Sequence, residues 1–184
     1  LMGMGTVAEA MREPVLAGFI ERIMREDILP TLALPVGFDP DAYIGAVLER
    51  FRNPAIAHLL SQIAWDGSQK LPVRVLGTMA DALAQGGRID RLALVVAGWL
   101  HFVVRQARAG AELSDPMSAQ LLRIGAAATG DAAHDVAGFL ALESVFGALA
   151  TDARFVAAAV EAYAALGDGG PAAVARALAA AVQA

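Results

Sequence analysis

The run Leu92–Val104 is the longest apolar stretch in the chain, interrupted only by His101 and bracketed by Arg91 and Arg105. It falls short of the roughly 18 to 20 residues that a transmembrane helix needs. A helix this apolar must then be covered by other parts of the protein, so the run predicts a buried core helix over about Asp90 to Arg108 with the remaining elements packed around it.

Those remaining elements also read as helices. Thr6 followed by Glu9 forms a capping box that predicts a short helix at the start. Pro14 opens a second helix over about Glu13 to Asp27, with Leu16, Phe19, Ile20 and Ile23 at helical spacing and Glu21, Arg22 and Arg25 elsewhere on the wheel. Leu29–Phe38 carries Pro30, Pro35 and Gly37 and suits a connector. Asp39-Pro40, Asn53-Pro54 and Asp115-Pro116 each pair a capping side chain with a proline at the first helical position, and each predicts a helix start. The helix from Asp39 ends near Arg52 and turns Tyr43, Val47 and Leu48 inward. The helix from Pro54 runs to about Trp65, with Ile56, Leu59, Leu60 and Ile63 on one side and His58 and Gln62 sharing another. Pro72 begins a helix that ends at Gly86-Gly87, which puts Lys70 at a helix entrance. Further helices are expected at about 115–128, 131–149, 151–166 and 171–182. No strand pattern and no internal repeat appears, so the fold class is all-α, one multi-helical domain over 1–184.

Hydrophobic residues make up 57% of the chain, more than in a typical soluble domain. Such an excess fits a helical protein that leaves one face for a missing neighbour. The net charge of −5 and the lack of any basic cluster argue against a nucleic-acid partner, and no membrane segment is found. Zero cysteines excludes disulfide and thiolate chemistry and fits a cytoplasmic protein. The chain opens Leu-Met-Gly-Met-Gly, with neither Met at position 1 nor a signal sequence, and reads as a piece of something longer.

Chemistry concentrates in Asn53–Arg74. Lys70 is the only lysine among 14 basic residues, in a sequence that otherwise uses arginine for every positive charge. An ammonium is a compact charge with three donors, whereas guanidinium is a wide planar fork, so the position can require the smaller head. His58, Gln62, Lys70 and Arg74 together supply the donors, acceptors and cations that hold a polyhydroxylated or carboxylated small molecule. A solvated polar surface would present the same residue types. Elsewhere His101 reads as a hydrogen-bonded core histidine, and Asp131, His134 and Asp135 as a solvated helix face. No metal-binding spacing occurs. Ser61, His58 and Asp66 do not line up as nucleophile, base and orienting acid. No glycine-rich phosphate loop follows a strand, so nucleotide binding by this piece alone is not expected.

Asn53-Pro54 through Lys70-Leu71-Pro72, centred on Asp66-Gly67-Ser68-Gln69-Lys70, resembles the signature of the polyol-specific long-chain dehydrogenases, which include mannitol 2-dehydrogenase and fructuronate reductase. The similarity extends to Thr6-Val7-Ala8-Glu9-Ala10-Met11, Leu48-Glu49-Arg50-Phe51, Ala97-Gly98-Trp99 and Asp115-Pro116-Met117. The resemblance implies a helical C-terminal substrate domain like that of 6-phosphogluconate dehydrogenase. It also implies an N-terminal Rossmann domain, absent from this chain, that binds NAD, and hydride transfer without a metal. The family's catalytic lysine, asparagine and histidine lie before the point where this chain begins, so no catalytic residue is expected here and the isolated piece is expected to be inactive.

Carried over residue by residue, Lys70 matches the family lysine that contacts substrate oxygens. Gln62 stands where mannitol dehydrogenases usually have arginine, and His58 where they often have aspartate. With Lys-Leu-Pro-Val-Arg this looks more like the fructuronate reductase branch, whose substrate bears a carboxylate that Arg74 can meet. The resemblance therefore implies interconversion of fructuronate and mannonate, with a mannitol or arabinitol dehydrogenase as the alternative. A non-catalytic helical interaction module is the alternative of another class, and it predicts no Rossmann domain encoded upstream of Leu1.

Overall fold

The computed structural model describes residues 2–183; Leu1 and Ala184, the ends of the expected domain, lie outside the described residues. Helix α7 (Asp90–Arg108) is the axis of the fold, as the apolar run predicts. Leu92, Ala93, Val96, Ala97, Leu100, Val103 and Val104 are all buried on it. Helices α8 (Ser118–Ala127) and α11 (Ala153–Ala165) pack along its length. At the α7–α8 crossing a Cβ on Gly125 would stand 3.0 Å from Ala107 Cβ and from the Val103 carbonyl, so the close approach depends on that glycine. Helix α9 (Ala132–Leu140) lies against α11, and α12 (Pro171–Gln183) against α2 (Pro14–Arg22).

The N-terminal limb follows the expected caps. Helix α1 (Val7–Ala10) carries both halves of the capping box, with Glu9 N–H on Thr6 Oγ1 at 3.2 Å and Thr6 N–H on Glu9 Oε2 at 3.1 Å. The Asp39 carboxylate caps α3 (Pro40–Arg52) through Ala42 N–H at 3.0 Å. Ile44 and Leu48 of α3 join Met11 and Ala17 in a small second core. Tyr43 points outward, 57% exposed, contrary to its expected inward place, because Ile44 is the residue that α3 turns toward Met11.

After α2 the helix widens into a π-helical segment, Ile23–Ile28, and closes with a 3₁₀ turn at Leu29–Thr31. This brings Asp27 into the interior, where its two oxygens take hydrogen bonds from Arg91 Nε (2.7 Å) and Nη2 (3.0 Å). Arg91 Nη2 also lies 2.7 Å from Glu26 Oε2. These carboxylates hold the Arg91 guanidinium charge above its ordinary pKa against the effect of burial, the Asp27 hydrogen bonds contributing most.

Three expected helices are redrawn. Residues 54–59 are not helical: Asn53 Oδ1 caps only a turn, through Ala55 N–H at 2.9 Å. The chain then runs antiparallel to the N-terminal segment, with Val7 N–H on the His58 carbonyl (3.0 Å) and Leu60 N–H on the Gly5 carbonyl (2.9 Å). Helix α4 is the short piece Leu60–Ile63. Next, Pro72 lies inside a helical run instead of opening one. That run begins one turn earlier as α5 (Gly67–Leu71), passes through a π segment, Pro72–Leu76, and continues as α6 (Gly77–Ala84). Proline has no N–H for the helical ladder, and the following register widens, with Gly77 N–H reaching the Pro72 carbonyl.

The helix expected over 131–149 breaks after Leu140. A second piece, α10 (Glu143–Phe146) followed by the 3₁₀ turn Gly147–Thr151, leaves at 82° to α9. The bend carries Leu142, Val145 and Phe146 into the core. No single helix among the described residues is long and apolar enough to cross a membrane.

Candidate functional site

Segments that stand far apart in the sequence meet around Asp66–Lys70. Asp66 adopts a left-handed conformation (φ 55°), unusual for a residue with a side chain although aspartate tolerates it better than most. Its N–H donates to the Ser114 carbonyl at 2.9 Å, and its own carbonyl receives Gln69 N–H (3.0 Å) and Lys70 N–H (2.9 Å) as the first turn of α5. Gly67 rests on the indole of Trp99 from α7 so closely that a Cβ would overlap the ring nitrogen. The buried Ser68 is held by Asp115: its N–H lies 2.8 Å from Oδ2 and its Oγ 2.6 Å from Oδ1. Asp115 Oδ1 also accepts Met117 N–H at 2.8 Å. Asp115-Pro116 therefore does not cap α8 as expected: the helix starts at Ser118 after Met117 without a side-chain cap, because the Asp115 carboxylate is turned mostly toward α5.

Lys70 is the last polar residue of this turn. It is half-buried, and its ammonium donates to the Ile63 carbonyl at 3.2 Å, which bridges α5 to the end of α4. Gln62, one residue before that carbonyl, is exposed, as are His58 and Arg74. The sharing of one helix face by His58 and Gln62 does not hold, because His58 lies in the extended segment paired with Val7 while Gln62 is on α4. Arg74 lies beyond Pro72 in the π segment. The fold therefore joins Lys70 to the turn that follows Gln62 and makes no direct link between these two residues and His58 or Arg74.

The same stretch exposes large apolar side chains: Leu59, Ile63, Trp65 and Val73 are 43%, 51%, 48% and 82% accessible. The longer helix read from the sequence puts Leu59 and Ile63 together on one side with Ile56 and Leu60. With residues 54–59 extended, they fall outside, and a rim of apolar and polar groups is left open. Between α4 and α7 lies a cavity of about 550 Å³, lined in part by Met4, Leu60, Ala64, Trp99, Phe102 and Leu178. No charged side chain lines it among the described residues, so it offers little to a hydroxyl-rich or carboxylated ligand.

Two polar features were hidden from the sequence. Asp135 is not on a solvated face: it is buried and takes hydrogen bonds from Thr129 N–H (2.7 Å), Gly130 N–H (2.9 Å), Thr129 Oγ1 (3.2 Å) and Tyr163 Oη (3.1 Å). Burial raises its pKa, but these four donors outweigh that and hold the carboxyl below its ordinary value. Burial, and then the Asp135 charge, push the Tyr163 phenol upward. Asp131 caps α9 through His134 N–H at 2.8 Å. His101 is the core histidine expected, stacked on Tyr163 at 3.9 Å between ring centroids with Nε2 3.0 Å from the Tyr163 carbonyl.

Among the described residues no cluster of three His, Asp or Glu side chains could hold a metal. Dinucleotides are held where a strand passes through a glycine-rich turn into a helix. The only β-type pairing among the described residues is the isolated Thr6–Leu59 bridge, so that strand–turn–helix cradle is not formed among them.

Residues 1–167 match the mannitol dehydrogenase C-terminal domain family. The chain belongs to this family. It is 37% identical over 166 residues to the D-mannonate oxidoreductase of Escherichia coli, covering 89% of this chain and 34% of that protein. It is 36% identical over 159 residues to the mannitol 2-dehydrogenase of Pyricularia oryzae, covering 85% and 31%. The fold superposes on Pseudomonas fluorescens mannitol 2-dehydrogenase, solved as a ternary complex with NAD and D-mannitol, with a TM-score of 0.83 and 29% identity over 96% of this chain and 36% of that one. The chain thus spans about a third of the length of the relatives it matches, and its all-α architecture is that of the C-terminal helical domain of mannitol 2-dehydrogenase.

Proposed function

We propose that this domain supplies the substrate-facing wall of an NAD-dependent oxidoreductase that interconverts a keto-uronate such as fructuronate and an aldonate such as mannonate. The observation that carries the proposal is the setting of Lys70. Lys70 is half-buried, and its ammonium has one internal partner, the Ile63 carbonyl, which leaves donors free for a substrate oxygen. Around it in the chain, Gln62 can meet a hydroxyl and Arg74 a carboxylate, both from exposed positions. The exposed Leu59, Ile63, Trp65 and Val73 suit a rim that a second domain covers.

NAD binding falls to the companion N-terminal domain, and the location is cytoplasmic, consistent with a chain without cysteine. Fractionation of cells expressing the complete protein checks the location: recovery outside the cytoplasmic fraction would contradict it. Identity to D-mannonate oxidoreductase supports the sugar-acid substrate.

A polyol substrate is the second reading, favoured by the superposition on the mannitol 2-dehydrogenase complex with D-mannitol. Fructuronate, tagaturonate and fructose, each tested with NADH and the complete protein, separate the two. Turnover of fructuronate or tagaturonate well above fructose is expected. Preference for fructose would move the assignment to the polyol branch.

A further inference from the structure

We propose that Asp115 is a positioning residue for Lys70, setting where the ammonium stands by fixing the turn that carries it. The inference rests on the reading of Lys70 as a substrate-binding group. Packing holds α5 at two points, Gly67 against the Trp99 indole and Leu71 in the core. The helix is five residues long, no side chain caps it, and only Ser68 and Leu71 are buried. The chain leading into it is exposed at Gln62, Ile63 and Trp65. What fixes the residues between those points is polar: both Asp115 oxygens engage Ser68, and Asp66 N–H donates to Ser114, the neighbour of Asp115.

A hydroxyl at 2.6 Å from a carboxylate oxygen lies in the range of charge-assisted hydrogen bonds, which are stronger than neutral ones and directional. The third bond, from Met117 N–H to Oδ1, prevents the carboxylate from rotating. Asp115 is thereby oriented by the entrance of α8 and in turn orients Ser68, two residues before Lys70. If the lock is loosened, the Asp66 turn can relax from its left-handed conformation and the reach from Lys70 Nζ to the Ile63 carbonyl changes. Reactivity is sensitive to such displacements even at about 1 Å.

The test is a double-mutant cycle in the complete protein, using whichever of fructuronate, tagaturonate or fructose it reduces. Lys70→Ala, Asp115→Asn and the double variant are compared by kcat and KM for that substrate, by KM for NADH and by Tm. In the amide variant one acceptor facing Ser68 becomes a donor, while side-chain shape is kept. Asp115→Asn is expected to lower kcat/KM roughly tenfold in the parent and less than about twofold in the Lys70→Ala background, with KM for NADH unchanged. Ser68→Ala should show the same pattern more weakly, with Ser68→Thr restoring most of the loss, and it carries the comparison if Asp115→Asn does not fold. An equal loss with and without Lys70, or a folded Asp115→Asn protein of full efficiency, would overturn the positioning role and leave the reading of Lys70 standing. A silent Lys70→Ala would remove that reading, and with it this inference.

Discussion

Gly67 and Trp99 are in such close contact that a Cβ built on Gly67 lies 2.9 Å from the indole Cδ1 and nearer still to Nε1. The glycine belongs to the turn that leads to Lys70, and the tryptophan to the central helix. Their contact seats the candidate site on the buried central helix.

Gly67→Ala should therefore destabilise the protein by overpacking. Trp99 packs on Phe139 with ring centroids 6.3 Å apart, and to admit the new methyl the indole must loosen this contact and shift into the cavity it lines. A loss of about 1–3 kcal/mol is expected, seen as a Tm lowered by several degrees. Trp99→Leu in the same chain should recover part of it, and a Gly67→Ala protein of unchanged Tm would show that the indole moves freely.

The Asp27–Arg91 pair joins the π segment after α2 to the start of α7 with almost no access to water. Asp27→Ala leaves the guanidinium without its main partner and should cost about 3–5 kcal/mol, whereas replacing both members by apolar residues of similar volume should be far milder. Chemical denaturation of Asp27→Ala and of Asp27→Leu with Arg91→Met measures both. The single variant should be the less stable of the two.

Acid should weaken the fold in two windows. Burial holds the His101 pKa below its ordinary 6.5, opposed by its hydrogen bond to the Tyr163 carbonyl and by the charges of Asp135 and Asp168, and assisted by Arg108. The unfolded chain then takes up the proton first. Stability should begin to fall as pH drops through about 6.5 and keep falling until the lower folded value is reached. Asp135 adds a second loss at lower pH: its folded pKa lies below 3.8, so its contribution is complete above that value and disappears as pH falls through the folded one. Tm measured from pH 8 to 3 for the parent and for His101→Gln separates the windows. The variant should lose the slope below pH 6.5 and keep the lower one.

What the sequence revealed was governed by local rules. Helix α7 is recognisable because its apolar run leaves no other placement, and the Thr6–Glu9 and Asp39 caps because capping needs only neighbours within one turn. Residues 54–59 escaped because Asn53-Pro54 carries a helix-start signature that pairing with Gly5 and Val7 overrides. The bend after Leu140 has no breaker at the site, and it follows from burying Leu142, Val145 and Phe146. In the candidate site, Lys70 stood out as a lone lysine. Its partner Ile63 offers only a backbone carbonyl, and Asp115 lies 47 positions from Ser68, a contact that no helical periodicity encodes.

The central claim, that Lys70 binds a substrate oxygen, is tested most directly by kcat/KM of Lys70→Ala in the complete protein with its preferred sugar-acid or ketose substrate and NADH. Loss of one charge-assisted hydrogen bond, worth about 1.5–3 kcal/mol, predicts a fall of roughly ten- to hundredfold. A correctly folded variant with undiminished kcat/KM would contradict the claim.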